Sequence, residues 1–239
     1  MYLSEITLQN FKGIKNLDIT FHKGVNLMIG NNGAGKTSLL NGISVALSNM
    51  LRLLPVTSFV DIEQSDVYAE TTRMGDVTSS TEYHTPVRVE ARFKDNNSVY
   101  AYDVIKTTEA SATETVNFSA LEYMKKLVDQ KLSLPLLNYQ NAGRGSSVAY
   151  DDKTVYGVQA AKRSIDRLEG YKDSFAKTLN FYEIQAWCMQ MELITIQKKK
   201  LIREYSLFKQ IISSFMQAIE NKSDSLDVYY SFDSSGLVY

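Results

Sequence analysis

The amino-acid sequence predicts an α/β fold: a mixed sheet flanked by an antiparallel β-section and a helical subdomain. Three observations predict it. Residues 2–9 and 17–21 alternate apolar with polar side chains, the period of half-buried strands. Residues 25–29 (VNLMI) form a short apolar run that enters a glycine-rich stretch and then a helical pattern. Residues 181–203 and 205–219 carry apolar side chains at helical spacing.

In chain order, Leu3, Ile6 and Leu8 mark the first strand, and Leu17, Ile19 and Phe21 the second, with Gly13 in the turn between them. The 25–29 run reads as a strand covered on both faces. Residues 36–50 read as a helix with Leu39, Leu40, Ile43, Ala46, Leu47 and Met50 on one stripe. Apolar residues 51–60 give way to a polar tract over 61–85, and residues 51–85 together read as a surface excursion. Residues 86–93 and 99–106 read as a hairpin, with Asp95, Asn96, Asn97 and Ser98 at its turn. A helix over 118–131 and a strand over 134–139 follow. Residues 141–156 form a loop, and the chain stays helical to about residue 225 before a last strand within 226–239. Ile184, Trp187, Cys188, Met191 and Ile194 share one helical face, and Phe208, Ile211, Ile212, Phe215 and Ile219 another.

The 239 residues are 44% hydrophobic and 22% charged, ordinary for a globular domain with a real core. A net charge of −1 excludes a global basic field for nucleic acid or an anionic membrane. One cysteine and two histidines exclude an internal disulfide framework and a Cys/His zinc site. No leader pattern opens the sequence and no apolar run is long enough to span a bilayer, so a cytoplasmic protein without membrane partners is the simplest reading.

The chemistry concentrates at Gly30-Asn31-Asn32-Gly33-Ala34-Gly35-Lys36-Thr37, which satisfies G-x-x-x-x-G-K-[ST] at every fixed position. With glycine at about 7% of residues, such a match arises by chance roughly once per hundred chains this long. A triphosphate needs many donors at close range. Glycines at 30, 33 and 35 permit unusual backbone angles and let amides approach without a side chain in the way. The amides form a nest, and the helix that begins here, with Ser38 in its first turn, adds its positive dipole end. Lys36 would reach the β- and γ-phosphates as the catalytic ammonium, and the Thr37 hydroxyl would bind Mg²⁺. The fold expectation therefore sharpens to a P-loop NTPase binding ATP and Mg²⁺.

With these residues in view, the opening of the chain resembles ABC-type ATPases of the RecF, SMC and OLD group. That group often begins with two strands around an element here represented by Asn10-Phe11-Lys12-Gly13-Ile14, then a strand ending in the phosphate loop. The resemblance implies that Lys12 approaches the nucleotide. Residues 134–140 followed by Gly143-Arg144, and Arg167-Leu168-Glu169-Gly170-Tyr171-Lys172 followed by Asn180-Phe181 and Trp187, resemble bacterial AAA-type ATPases related to OLD proteins. Some of these serve anti-phage modules such as Septu and retron-associated systems. It further implies that Gln140 contacts Mg²⁺ or the attacking water, and that Arg144 meets nucleotide or a neighbouring subunit.

Two family elements are not found: an apolar strand ending in Asp-Glu, whose carboxylates hold Mg²⁺ and position water, and a signature near L-S-x-G-[EQ]. The apolar runs before Asp103 and Asp233 lack the second carboxylate and read as ordinary strands. In the family those elements lie further C-terminal, so residues 1–239 are expected to be the N-terminal lobe of a longer ATPase. Its expected partners are a second copy or a complementary C-terminal lobe, with a nuclease and DNA or RNA as candidates. Two other functions stay open: a RecF-like repair ATPase and a non-hydrolysing, nucleotide-bound interaction module. A kinase or GTPase fits less well, since no guanine motif or acceptor site is recognisable. Lys198-Lys199-Lys200 reads as a solvated helix end, Trp187 as core packing, and Cys188 as a buried thiol.

Overall fold

The computed structural model describes residues 1–55, 59–74, 77–140, 167–172, 174–175, 181–199, 201–220, 228–231 and 236–238. They divide into two compact units, Met1–Gln140 with Arg167–Ala176, and Asn141–Asp166 with Lys177–Tyr239.

The first unit is built on a five-stranded sheet of β1 (Tyr2–Phe11), β2 (Ile14–Thr20), β5 (Val87–Asp95), β6 (Ser98–Lys106) and β7 (Glu114–Val116), in spatial order β2-β1-β5-β6-β7. Every ladder among the described residues is antiparallel. Register follows the apolar alternation: Ile6 faces Ile19 and Ala91, Leu8 faces Leu17 and Val89, and Val89 faces Val104. One-residue slips would expose Ile6, Leu8, Val87, Val89 and Phe93, all buried. The β1–β2 turn is tight enough to put Lys12 at φ 52, and Asn96 carries φ 52 in the β5–β6 turn, where the sequence places Asp95 to Ser98.

Two helices cover the sheet. α1 (Lys36–Asn49) packs against β1, β5 and β6, and α2 (Ser119–Asp129) against β6. α2 buries Ala120, Leu121, Met124 and Leu127, the spacing of one helical face. α1 buries more than one stripe. Ser48 and Asn49 are fully buried at its end, and both bond Val60: its N–H donates to Ser48 Oγ at 2.9 Å, and its carbonyl accepts from Asn49 Nδ2 at 2.8 Å. Of the predicted stripe, Leu40 is exposed instead. The expected surface excursion over 51–85 is only partly one: Leu51, Leu54, Ile62 and Val67 are buried in the core, and the polar stretch beyond them carries a hairpin, β3 (Ala69–Met74) with β4 (Val77–Tyr83).

The second unit holds α3 (Phe181–Lys198), α4 (Arg203–Glu220) and the short hairpin β8 (Tyr229–Ser231) with β9 (Gly236–Val238). Cys188, Met191, Tyr205 and Tyr230 form its buried centre, with Trp187, Ile194 and Phe208 packed around them.

Two expected strands are not strands. Residues 25–29 run without ladder bonds, because no described strand lies beside them. Residues 134–139 instead tie to a neighbouring turn: the Tyr139 N–H donates to the Ser174 carbonyl at 2.9 Å, and the Tyr171 hydroxyl to the Pro135 carbonyl. On α4, Ile211, Phe215 and Ile219 are exposed, since the core of this unit reaches only Tyr205 and Phe208. The 141–156 loop, with Arg144, and Asn180 and Lys200 lie outside the described residues.

Candidate functional site

The phosphate-loop sequence folds as a turn leading straight into α1. Gly33 sits at φ 85 and Gly35 at φ 81, left-handed angles that residues with a Cβ avoid. Gly35 is the residue before the first helical turn, and no side chain caps that end. No acidic residue lies in the first turn of α1 either. The helix therefore presents unpaired N–H groups and its positive dipole end with nothing local to neutralise them.

The ammonium of Lys36 folds back over the loop. Its Nζ donates to the Gly30 carbonyl at 2.5 Å and to the Asn31 carbonyl at 2.7 Å. The Ala34 N–H donates to Asn31 O at 3.2 Å and completes the turn. Gly30, Asn31, Asn32, Gly33, Ala34 and Thr37 are exposed, while Gly35, Lys36 and Ser38 are half-buried. Among the described residues the Thr37 hydroxyl has no hydrogen-bond partner. Exposed loop residues, an ammonium held over them by two carbonyls and a hydroxyl without a partner among the described residues fit a polyphosphate with its magnesium. Mg²⁺ keeps waters and phosphate oxygens as ligands and needs only one or two from the protein. Among the described residues no cluster of three or more His, Cys, Asp or Glu competes for it.

A cleft of about 620 Å³ opens beside the loop, lined by Ile14, Leu17 and Ile19 of β2, by Leu27 and Ile29 before the loop, by Ala34 within it, and by Lys36 and Leu39 of α1. That is within the range of ordinary ligand pockets, about 300–1,000 Å³. The sequence pattern marked Leu17 and Ile19 as strand residues, and only the fold puts them beside the phosphate loop.

Lys12 is engaged elsewhere in this conformation. Its Nζ lies 2.7 Å from Asp66 Oδ1, and its N–H donates to the Asp66 carbonyl at 2.6 Å. Asp66 also accepts from the Glu63 N–H at 3.0 Å, closing a 3-10 turn at Gln64–Asp66. Gln140 is exposed and ends a tethered segment: the hydroxyl of the preceding Tyr139 donates to Asn41 Oδ1, one turn along α1 from Thr37, at 3.0 Å. Neither Asn41 nor Tyr139 carries a motif, so nothing in the sequence pairs them.

The competing features resolve as structure. Asp103 is buried and held by Arg88 at 3.1 Å and Asn117 at 2.8 Å. Trp187 meets Tyr205 and Phe208 edge-on at 5.8 and 5.2 Å. Burial, and secondarily the nearby Glu192 charge, pushes the Cys188 thiol up from 9.0 to about 12, the state of an inert thiol. Lys198 and Lys199 are exposed at the end of α3.

The "Retron Vc95 probable ATPase" of Vibrio cholerae is 25% identical over 232 residues, 92% of this chain and 42% of that protein. The "DNA replication and repair protein RecF" of Lactobacillus acidophilus is 51% identical over 43 residues, 18% of this chain and 12% of its own. The "DNA double-strand break repair Rad50 ATPase" of Pyrococcus abyssi is 26% identical over 175 residues, 71% of this chain and 19% of that protein. The chain thus spans less than half the length of each of these relatives. A solved chain from work on "ATP-driven dimerization and DNA stimulated activation of SMC ATPases" superposes with a TM-score of 0.36 at 14% identity, over 56% of this chain and 81% of that one. Among the described residues no helix is long and apolar enough to cross a membrane. Since the AAA domain family matches residues 5–223, nearly the whole sequence, the chain belongs to that family.

Proposed function

We propose that this chain is the ATP·Mg²⁺-binding lobe of an ATPase head whose nucleotide state switches an assembly acting on DNA or RNA, in defence against phage. The observation that carries the reading is the exposed loop from Gly30 to Thr37, with its uncapped helix end and Lys36 poised over it. The neighbouring cleft would take the base and ribose against Ile14, Leu17 and Ile19. Thr37 would hold Mg²⁺, joined by Gln140 from the segment that Tyr139 ties to α1. Lys12 would join the nucleotide by exchanging Asp66 for a phosphate.

The retron relative, aligned over 92% of the chain, favours the defence setting. A second reading is repair or recombination, favoured by the 51% identity to RecF over 43 residues. Genomic context separates them: a neighbouring HNH nuclease or reverse transcriptase supports defence. Hydrolysis would need a second lobe bearing the Asp-Glu strand and the signature, or a second copy of the head to close over the γ-phosphate.

Calorimetric titration of ATP·Mg²⁺ into the purified chain tests the core of the reading. Binding weakened on the order of 10- to 100-fold in Lys36→Ala is expected, together with negligible turnover by the chain alone. An absence of binding heat would sink the nucleotide reading. Steady turnover abolished by Lys36→Ala would sink the dependence on a second lobe. Binding that still gives no turnover with a second lobe supplied would point to a non-hydrolysing module.

A further inference from the structure

The β1–β2 turn borders the cleft beside the phosphate loop through Gly13, Ile14 and Lys15. Main-chain bonds lace that turn to the base of the β3–β4 hairpin. The Lys12 N–H donates to the Asp66 carbonyl at 2.6 Å, the Tyr68 N–H donates to the Asn10 carbonyl at 2.8 Å, and Phe11 makes an isolated antiparallel bridge to Val67. Asn10 and Lys12 both sit at φ 52, a left-handed angle that a lysine keeps only where its surroundings impose it. The other end of the hairpin returns to the same place, since the His84 N–H donates to the Tyr68 carbonyl at 2.8 Å.

Two ion pairs join the same parts. Lys12 Nζ lies 2.7 Å from Asp66 Oδ1, and Asp66 Oδ2 accepts from the Glu63 N–H at 3.0 Å. Lys15 Nζ lies 3.6 Å from Glu70 Oε1 on β3, and Glu70 also accepts from the Tyr68 hydroxyl at 3.0 Å. The pairs are unequal. The Lys15 and Glu70 side chains are exposed, so water screens their attraction. Those of Lys12 and Asp66 are only 29% and 11% exposed, and that pair holds the clamp. A nucleotide's phosphates attract the same ammonium. Once Lys12 turns to them, the Asp66 carboxylate keeps only the Glu63 N–H among the described residues. A nearly buried carboxylate that has lost its cation is costly, so it turns out to water and opens the 3-10 turn built on it.

We infer that Asp66 is an internal competitor of the nucleotide's phosphates for Lys12, and that nucleotide binding unclamps the base of the β3–β4 hairpin from the β1–β2 turn. The hairpin is then the part of this unit that reports the nucleotide state outward. The inference rests on the proposed nucleotide site and adds a regulation of it.

Hydrogen exchange of the full chain with and without ATP·Mg²⁺ reads the unclamping directly. The amides of Lys12, Asp66, Val67 and Tyr68, and those of the two hairpin strands, are expected to exchange about tenfold faster with nucleotide bound. Asp66→Asn removes the competing charge and should tighten ATP binding about threefold to tenfold by calorimetry. Glu5→Gln is the control: it removes a carboxylate of β1 paired with Arg92 at 3.0 Å and should leave the Kd unchanged. Exchange that is unchanged or slowed by bound ATP overturns the inference. So does an Asp66→Asn chain that binds ATP no more tightly, or a Glu5→Gln chain that gains as much. Should Asp66→Asn fail to fold, exchange in the unaltered chain decides alone. Absence of ATP binding would sink the nucleotide reading and this inference with it, whereas binding without faster exchange sinks the inference only.

Discussion

In the proposed function Lys36 exchanges its partners. Its ammonium is held by two neutral carbonyls, Gly30 O at 2.5 Å and Asn31 O at 2.7 Å. The ammonium's own charge already assists those bonds, and phosphate oxygens would add an ion–ion attraction that neutral carbonyls lack, which favours the exchange. Removing the ammonium in Lys36→Ala should cost about 1.5–3 kcal/mol of binding, on the order of 10- to 100-fold in Kd. Lys36→Arg should not restore it, because a planar guanidinium is not a compact point charge. Cys188 makes a prediction of opposite character. Its thiol is raised from 9.0 to about 12 by burial. A thiol reagent at pH 8 should leave the native chain unlabelled and react promptly once it is denatured. Rapid native labelling would show that the second unit's core is open. The sign of the linkage follows from a raised folded value. Below pH 9 both states keep the proton and the contribution is complete. Between pH 9 and 12 the unfolded chain releases it first, so stability falls as pH rises.

At the scale of elements, α1 joins the core to the site. A Cβ on Gly42 would lie 2.7 Å from Leu8 Cδ2, within the fully buried centre of the sheet. Glycine inside a helix costs about 1 kcal/mol relative to alanine, and here it permits close helix–strand approach. The overpacking cost of about 1–3 kcal/mol less the propensity gain of about 1 kcal/mol leaves Gly42→Ala destabilising by up to about 2 kcal/mol. A rise in the denaturation midpoint would show that Leu8 can move aside freely. The Tyr139–Asn41 bond is a second element-level device, holding the segment that ends in Gln140 to the helix that begins at the phosphate loop. Tyr139→Phe removes about 1 kcal/mol of neutral hydrogen bonding, so the enhancement of ATP affinity by Mg²⁺ should fall about threefold to tenfold. An unchanged Mg²⁺ enhancement would detach Gln140 from the metal. Asn41 and Tyr139 are 98 residues apart, beyond the reach of any local pattern, whereas Lys36 and Thr37 are read from an eight-residue motif.

For the whole molecule, the sequence alone located the first two strands with the turn between them, the β5–β6 hairpin, the helices and the glycine-rich motif at 30–37. The reason is locality: alternation, helical spacing and glycine-dependent turns act over a few residues. Tertiary structure alone decided whether a locally competent run finds neighbours. Residues 25–29 have the composition of a buried strand and no ladder; Ile211, Phe215 and Ile219 have the spacing of a core stripe and face solvent. Lys12 likewise sits where the family resemblance leads one to look, but its ion pair with Asp66 depends on a turn 54 positions away. Composition says which side chains can be buried, whereas burial and pairing require other parts of the chain, or another chain, to arrive beside them.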